Sequence, residues 1–231
     1  MISITWLGHG SMEIELPFHE VLVFDPWIEG NPKYPKDYKI SRVDTILVSH
    51  GHFDHIHDVL PLARAHQPKI VGIYETCAWL ESKGATNCAP MNKGGTQQAG
   101  SVAVTMTHAV HSCGIQDEGK IIYGGEAAGY VVHLPDGRRF YFAGDTNVFS
   151  DMALIKELYA PELAFLPIGD HFTMGPREAA LAVRLLGVKT VVPMHFGTFP
   201  LLGGTPDALG KLLEGTGVNL HPLEPGVAWQ W

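Results

Sequence analysis

Ser49-His50-Gly51-His52-Phe53-Asp54-His55-Ile56-His57-Asp58 is the stretch on which the reading of this chain turns. Four side chains of metal-ligand type, His50, His52, Asp54 and His55, stand within six residues, and His57 follows just beyond. The stretch comes after an apolar, strand-like run over 45–48 and before a helical pattern carried by Val59, Leu60, Leu62 and Ala63. It therefore lies on a strand-to-helix loop. Neutral imidazole and carboxylate at this density are the donor set of zinc, iron or manganese. Four such donors wrap poorly around one tetrahedral ion. Dividing them between two neighbouring ions, His50 with His52 and Asp54 with His55, relieves the strain. Each ion then needs donors from elsewhere, and His111, Asp145 and His195 stand where predicted strands end.

Working outward, β-type runs are expected at 2–6, 12–16 and 21–24, divided by Gly-Ser or proline-containing turns. Past the histidine loop come a strand at 69–74 and a short helix at 75–82, stopped by Gly84. Residues 86–100 are polar and glycine-rich without periodicity and read mainly as connection. Residues 101–107 alternate as a half-buried strand, and 111–125 read as a loop long enough to carry function. Runs at 130–134 and 139–143 flank Pro135-Asp136-Gly137, a hairpin signal. The last third alternates helix and strand: helices at 149–159, at 176–186 with proline in the first turn, and from a Thr205 cap to near Glu214, with strands at 163–167 and 188–194. This is an α/β chain read as one domain over residues 1–231, its two halves alike in placing helices after strands.

Composition bounds the function. The chain has 231 residues and a net charge of −8 with histidine neutral. An acidic surface repels phosphate backbones, which disfavours nucleic acid as a partner and leaves a small-molecule substrate. Thirteen histidines exceed the roughly five that average usage gives at this length, so imidazoles are in use. Cys77, Cys88 and Cys113 form no CxxC pair, and an odd count leaves one unpaired, as in a reducing compartment. No secretory leader pattern opens the chain, and no run reaches the roughly 20 apolar residues of a spanning helix. The expectation is a cytoplasmic protein away from the membrane, with self-association left open.

The HxHxDH pattern, followed by a further histidine, a Gly-Asp-Thr and a late histidine, resembles the metallo-β-lactamase superfamily. Trp6-Leu7-Gly8-His9, Phe24-Asp25-Pro26-Trp27, His111-Ser112, Ala143-Gly144-Asp145-Thr146, Pro167-Ile168-Gly169-Asp170, Phe172-Thr173-Met174-Gly175-Pro176 and Pro193-Met194-His195-Phe196-Gly197-Thr198 run in order along the chain. Together they resemble the small metal-dependent hydrolases related to ascorbate-6-phosphate lactonase. The resemblance implies a four-layer αββα sandwich with metals at one edge between two sheets. It implies that His50, His52 and His111 hold one ion, that Asp54, His55 and His195 hold a second, and that Asp145 bridges them. Asp54 and Asp145 are then the catalytic carboxylates. Zinc is the expected metal, with manganese, iron and nickel as alternatives for a His/Asp site.

Residues around this set have two readings each. Asp25, before a proline, is either a turn former or a buried carboxylate orienting a metal-bound imidazole. His9 is a residue beside the metals or substrate, or a solvated turn histidine. Thr146 and Thr198 adjoin expected ligands, and Asp170 and His171 sit on a loop placed to line the pocket. Cys113 stands where the relatives often carry serine. His108, three residues before His111, is the weaker ligand candidate. The 199–203 run is an interface or a pocket wall.

The expected chemistry is hydrolysis of a small phosphoester, phosphodiester or lactone. Two ions about 3.5–4 Å apart share a water and lower its pKa toward roughly 7. No Gly-x-Ser-x-Gly elbow and no GxxxxGK[ST] phosphate loop is present. Two alternatives differ in class. A mononuclear iron oxygenase of the same fold would need two histidines and one carboxylate, and a metal-stabilised binding domain would hydrolyse nothing.

Overall fold

Side chains along each central strand point alternately to the two faces of its sheet, and strands such as Val21–Phe24 and Leu163–Pro167 are buried on both, which builds the architecture. The computed structural model describes residues 1–231. In β1 (Ser3–Trp6), β2 (Met12–Glu15) and β3 (Val21–Phe24), Ile4, Met12, Ile14, Leu22 and Phe24 face one apolar cluster. Val21 and Val23 face the opposite side, against α1 (Phe53–Ile56), α2 (Val59–His66) and α3 (Tyr74–Ser82). β4 (Thr45–Leu47), β5 (Lys69–Ile73) and β6 (Cys88–Met91) continue this sheet in parallel from β3. The C-terminal β16 (Ala228–Gln230) pairs antiparallel with β1, which completes a seven-stranded sheet.

The second seven-stranded sheet repeats the plan. β7 (Thr96–Ala99), β8 (Val102–His108), β11 (Ala128–His133) and β12 (Arg139–Phe142) are antiparallel neighbours. β13 (Leu163–Pro167), β14 (Thr190–Met194) and β15 (Asn219–Leu220) then follow β12 in parallel. Phe140, Phe142, Leu163, Phe165, Val192 and Met194 face the first sheet. Tyr141, Ala164, Leu166 and Val191 face α4 (Met152–Tyr159), α5 (Pro176–Leu186) and α6 (Pro206–Leu213). Twenty-seven buried residues fill the space between the sheets, with Phe24 and Phe142 meeting at 4.6 Å between ring centroids. The expected αββα layering is the one observed.

Four segments differ from the expectation. Residues 86–100 contain β6 and β7, and 111–125 contain a hairpin of β9 (Gly114–Asp117) and β10 (Lys120–Tyr123). The edge positions of β6 and β7 explain their weak signal, because an edge strand needs no apolar alternation and tolerates Pro90. The hairpin turns on Glu118 and Gly119, both at positive φ, as a two-residue turn of mirror-image type requires. The fourth helix starts at Met152 instead of 149, and the tail adds β15 and β16.

The pairing directions decide where chemistry can sit. β1, β3 and β4 run the same way, as do β8, β12 and β14, so their C-terminal ends collect along one edge where the two sheets meet. The residues just past those ends are His9, Asp25, His50, His111, Asp145 and His195.

Candidate metal centre

Asp145 is the hub of this edge. Its Oδ2 lies 3.0 Å from His195 Nε2, 3.3 Å from His55 Nε2, 3.7 Å from His111 Nε2 and 3.9 Å from His50 Nε2. Around it the donor atoms form two groups, His50, His52 and His111 on one side and His9, Asp54, His55 and His195 on the other, each within 4.8 Å. Within the first group, His52 Nδ1 is 3.0 Å from His50 Nε2 and 3.2 Å from His111 Nε2. Within the second, Asp54 Oδ2 is 3.9 Å from His55 Nε2 and 4.0 Å from His195 Nε2. All seven residues that the resemblance names are thus brought together.

The centre fits divalent cations on its own chemistry. His55 Nε2, Asp145 Oδ1 and both ring nitrogens of His195 are buried with no hydrogen-bond partner. Orphaned polar atoms are rare in a folded interior, and their gathering beside converging imidazole and carboxylate lone pairs suits a cation. Burial holds the His50 imidazole well below the ordinary histidine range, and it lowers His52 and His111 as well, so these rings are neutral donors. Burial opposes the Asp54 charge, but His55 and the hydrogen bond from His9 outweigh it and bring its pKa down to about 2. Asp145, similarly buried, is held well below the carboxylate range by His195 and His55. His55 is the exception: burial disfavours its cation, yet Asp145, Asp25 and Asp54 together push it well above the usual value.

One buried carboxylate orients two of the imidazoles. His55 Nδ1 donates to Asp25 Oδ2 at 2.8 Å. The Ser49 hydroxyl donates to the same oxygen at 2.5 Å, and its oxygen in turn lies 2.9 Å from His50 Nδ1. Both rings therefore carry their proton on Nδ1 and turn Nε2 toward the centre. The Ser49 amide donates to Asp25 Oδ1 at 2.7 Å, so three donors compensate a charge that is fully out of water. His52 is set the other way round: its Nε2 meets Ser112 Oγ at 3.1 Å, which leaves Nδ1 facing the cluster.

His9 is fully buried inside the second group. Its Nε2 donates to Asp54 Oδ2 at 2.8 Å and its Nδ1 accepts from the Thr198 hydroxyl at 3.0 Å. Its ring lies 3.8 Å from that of His195, whose amide donates to the His9 carbonyl. Burial and the neighbouring His195 bring the His9 pKa to about 4, so the ring is neutral. His9, Asp25 and His195 all hold positive φ, between 45° and 55°, a strained conformation that clusters at functional sites. Gly10 permits this crowding, since a Cβ there would lie 2.7 Å from His55 Cε1.

The remaining expected residues fall into place differently. The Thr146 hydroxyl accepts from the Val110 amide at 3.0 Å and donates to the Asn147 carbonyl, tying the His111 loop to the Asp145 loop without facing the open cavity. Asp170 and His171 do not line the cavity: both hold positive φ, Asp170 Oδ1 accepts from the His171 amide, and the turn presents Phe172 to the cavity instead. Phe199, Pro200 and Leu201 form a pocket wall. His108 lies beside Lys93, outside both groups. Ser49, which orients His50, carried no signal in sequence beyond adjacency to a ligand, and Ser112, which orients His52, stood in the His111-Ser112 motif without a role of its own. Cys113 accepts from the Gly51 amide at 3.2 Å and lies 3.2 Å from the Gly124 carbonyl, which fastens the metal loop from below.

A two-sheet αββα sandwich with a His/Asp cluster at the edge between its sheets is a metallo-β-lactamase fold, and residues 20–196 match the family described as the Beta-lactamase superfamily domain. Within it, the chain belongs to the UPF0173 metal-dependent hydrolases. It is 66% identical over 230 residues to the UPF0173 metal-dependent hydrolase of Solibacter usitatus, covering 100% of both chains. Against that of Koribacter versatilis the identity is 52% over 229 residues, covering 99% of this chain and 97% of that protein. Igni18, a metallo hydrolase from Ignicoccus hospitalis, superposes with a TM-score of 0.87 at 31% identity, over 100% of this chain and 99% of that one.

Proposed function

We propose that this chain is a dinuclear metal-dependent hydrolase acting on a small ester, with phosphoester, phosphodiester and lactone as the candidate classes. His50, His52 and His111 would hold one divalent ion, and Asp54, His55 and His195 the other, with Asp145 between them and zinc the favoured metal. The position of Asp145 Oδ2 carries the reading, within 4 Å of ring nitrogens from both groups. A mononuclear iron site would use two histidines and one carboxylate and leave four of these seven residues without a purpose.

When bound, the ions supply Lewis acidity and a water acidified toward a pKa of roughly 7. The chain's own residues do the rest. Asp25 and Ser49 hold His50 and His55 in one tautomer, so no rearrangement is needed during turnover. Asp54 lines the cavity, and the hydrogen bond from His9 to its Oδ2 fixes how this carboxylate is presented. Free Cys77, Cys88 and Cys113 support a reducing, cytoplasmic setting, and no helix is long and apolar enough to cross a membrane.

Elemental analysis of protein purified without chelator tests this directly. Two zinc or manganese ions per chain, falling to one or none in Asp145→Ala together with loss of ester hydrolysis, is the expected result. A single iron that survives the substitution would overturn it.

A further inference from the structure

A cavity of about 800 Å³ opens over the His/Asp cluster, a size suited to a drug-sized ligand. His52, Asp54, His111, Asp145 and His195 give it a polar end. Its remaining wall comes from segments far apart in sequence: Phe53 at the start of α1, Ile121 on β10, Phe172 after β13, and Phe199, Pro200 and Leu201 after β14. No lysine or arginine lines it, and Ser112 and Gln116 are the polar side chains outside the cluster.

Four of these wall residues are held in water. Phe53 is 49% exposed, Ile121 74%, Phe172 52% and Leu201 59%. Large apolar side chains scattered over a surface need no explanation, but four converging on one mouth from four segments mark a binding surface. The hairpin is built to present its part: Gly114 leaves the room beneath Ile121, where a Cβ would lie 2.8 Å from Ile121 Cγ2.

Building on the hydrolase reading, on which this rests, we infer that the substrate is an uncharged acyl ester, a carboxylic ester or lactone with an apolar body, and not a phosphate ester. A phosphate ester brings a net charge and several oxygens. Those not facing the cluster would lie against phenylalanine and leucine with only Ser112 and Gln116 to donate in exchange, and no arginine or lysine clamp is there to take the charge. The net charge of −8 further disfavours an anion's approach. An ester or lactone presents one carbonyl to the polar end and lays its apolar chain along the wall. Hydrolysis consumes one water: its oxygen bonds to the carbonyl carbon, the acyl carbon–oxygen bond breaks, and a carboxylate, an alcohol and one proton result.

The test is a series of 4-nitrophenyl esters from acetate to octanoate beside bis(4-nitrophenyl) phosphate, which share one leaving group, on the zinc-loaded protein. Each methylene buried on the wall is worth about a fourfold gain in kcat/KM, so the series should climb with chain length, and every ester of butyrate or longer should exceed the phosphodiester. Phe172→Ala and Leu201→Ala should flatten the climb. The slope is a ratio within one preparation, so partial folding or metal loading does not alter it. A second readout needs no turnover: calorimetric titration should show octanamide binding at least tenfold tighter than acetamide, and diphenyl phosphate no tighter than acetamide. A flat series with the phosphodiester preferred overturns the inference and leaves the hydrolase reading standing. Hydrolysis of none of these overturns the hydrolase reading, and the calorimetry then decides the cavity's preference: octanamide binding supports an apolar, uncharged ligand, and its absence overturns that too.

Discussion

Asp25 and His55 are both fully buried and joined by an Nδ1–H to Oδ2 hydrogen bond of 2.8 Å, so a carboxylate out of water fixes the orientation of this imidazole. The same carboxylate reaches His50 through Ser49. Asp25→Asn keeps the volume and loses the charge, and metal affinity should fall 10–100-fold, as for other carboxylates behind a ligating histidine. Competition against a chromophoric chelator measures this. Asp25→Ala removes one partner of a buried charged pair and should cost about 3–5 kcal/mol in urea unfolding.

His9 acts through Asp54. Replacing it by alanine leaves Asp54 without its Nε2–H donor at 2.8 Å. The expected outcome is a loss of one ion per chain by elemental analysis and at least a tenfold fall in kcat. His9→Gln should recover part of both, because its side-chain amide reaches the position of Nε2 and can donate to Asp54. Recovery by glutamine separates orientation of Asp54 from simple filling of space.

Gly10→Ala tests the close approach of backbone to ligand. The new Cβ would stand 2.7 Å from His55 Cε1, and His55 cannot move without breaking its bond to Asp25. Overpacking of this kind costs about 1–3 kcal/mol. Thermal unfolding should show that loss, together with weakened metal binding.

Metal removal should destabilise the whole fold. Four partnerless buried atoms and three carboxylates, Asp25, Asp54 and Asp145, gather at the joint between the sheets. An ion present at 100 times its dissociation constant contributes about 2.7 kcal/mol, which for a chain of this size is roughly 5–10 °C in Tm. Scanning calorimetry with and without chelator reads this shift, and far-ultraviolet circular dichroism at 25 °C should stay unchanged because the 27 buried residues between the sheets hold the strands together without the ions.

Tyr130 ties the sheets together beneath the metal loop. Its hydroxyl, on β11 of the second sheet, donates to the Val48 carbonyl at the end of β4 in the first, at 2.6 Å. Tyr130→Phe should cost about 1–3 kcal/mol, since a buried carbonyl loses its donor. Urea unfolding with an unchanged m-value checks it.

The amino-acid sequence by itself determined the layers and the core of the site. Continuous apolar runs such as Leu22–Phe24 and Phe140–Phe142 declare strands buried on both faces, because side chains of successive residues point to opposite sides. His50, His52, Asp54 and His55 are legible because local chain geometry already holds them together, the two histidines on the loop after β4 and Asp54 and His55 on α1, the helical turn that replaces the expected loop there. Only the tertiary structure decided what lies around them. Asp25 to His55, His9 to Asp54 and Thr198, and Ser112 to His52 are contacts between residues from 30 to 189 positions apart. The apolar wall is likewise drawn from Phe53, Ile121, Phe172 and Leu201, on separate segments. No local periodicity records such meetings. They arise when parallel and antiparallel pairing brings the ends of β1, β3, β4, β8, β12 and β14 to one edge, and the two sheets close on a shared core.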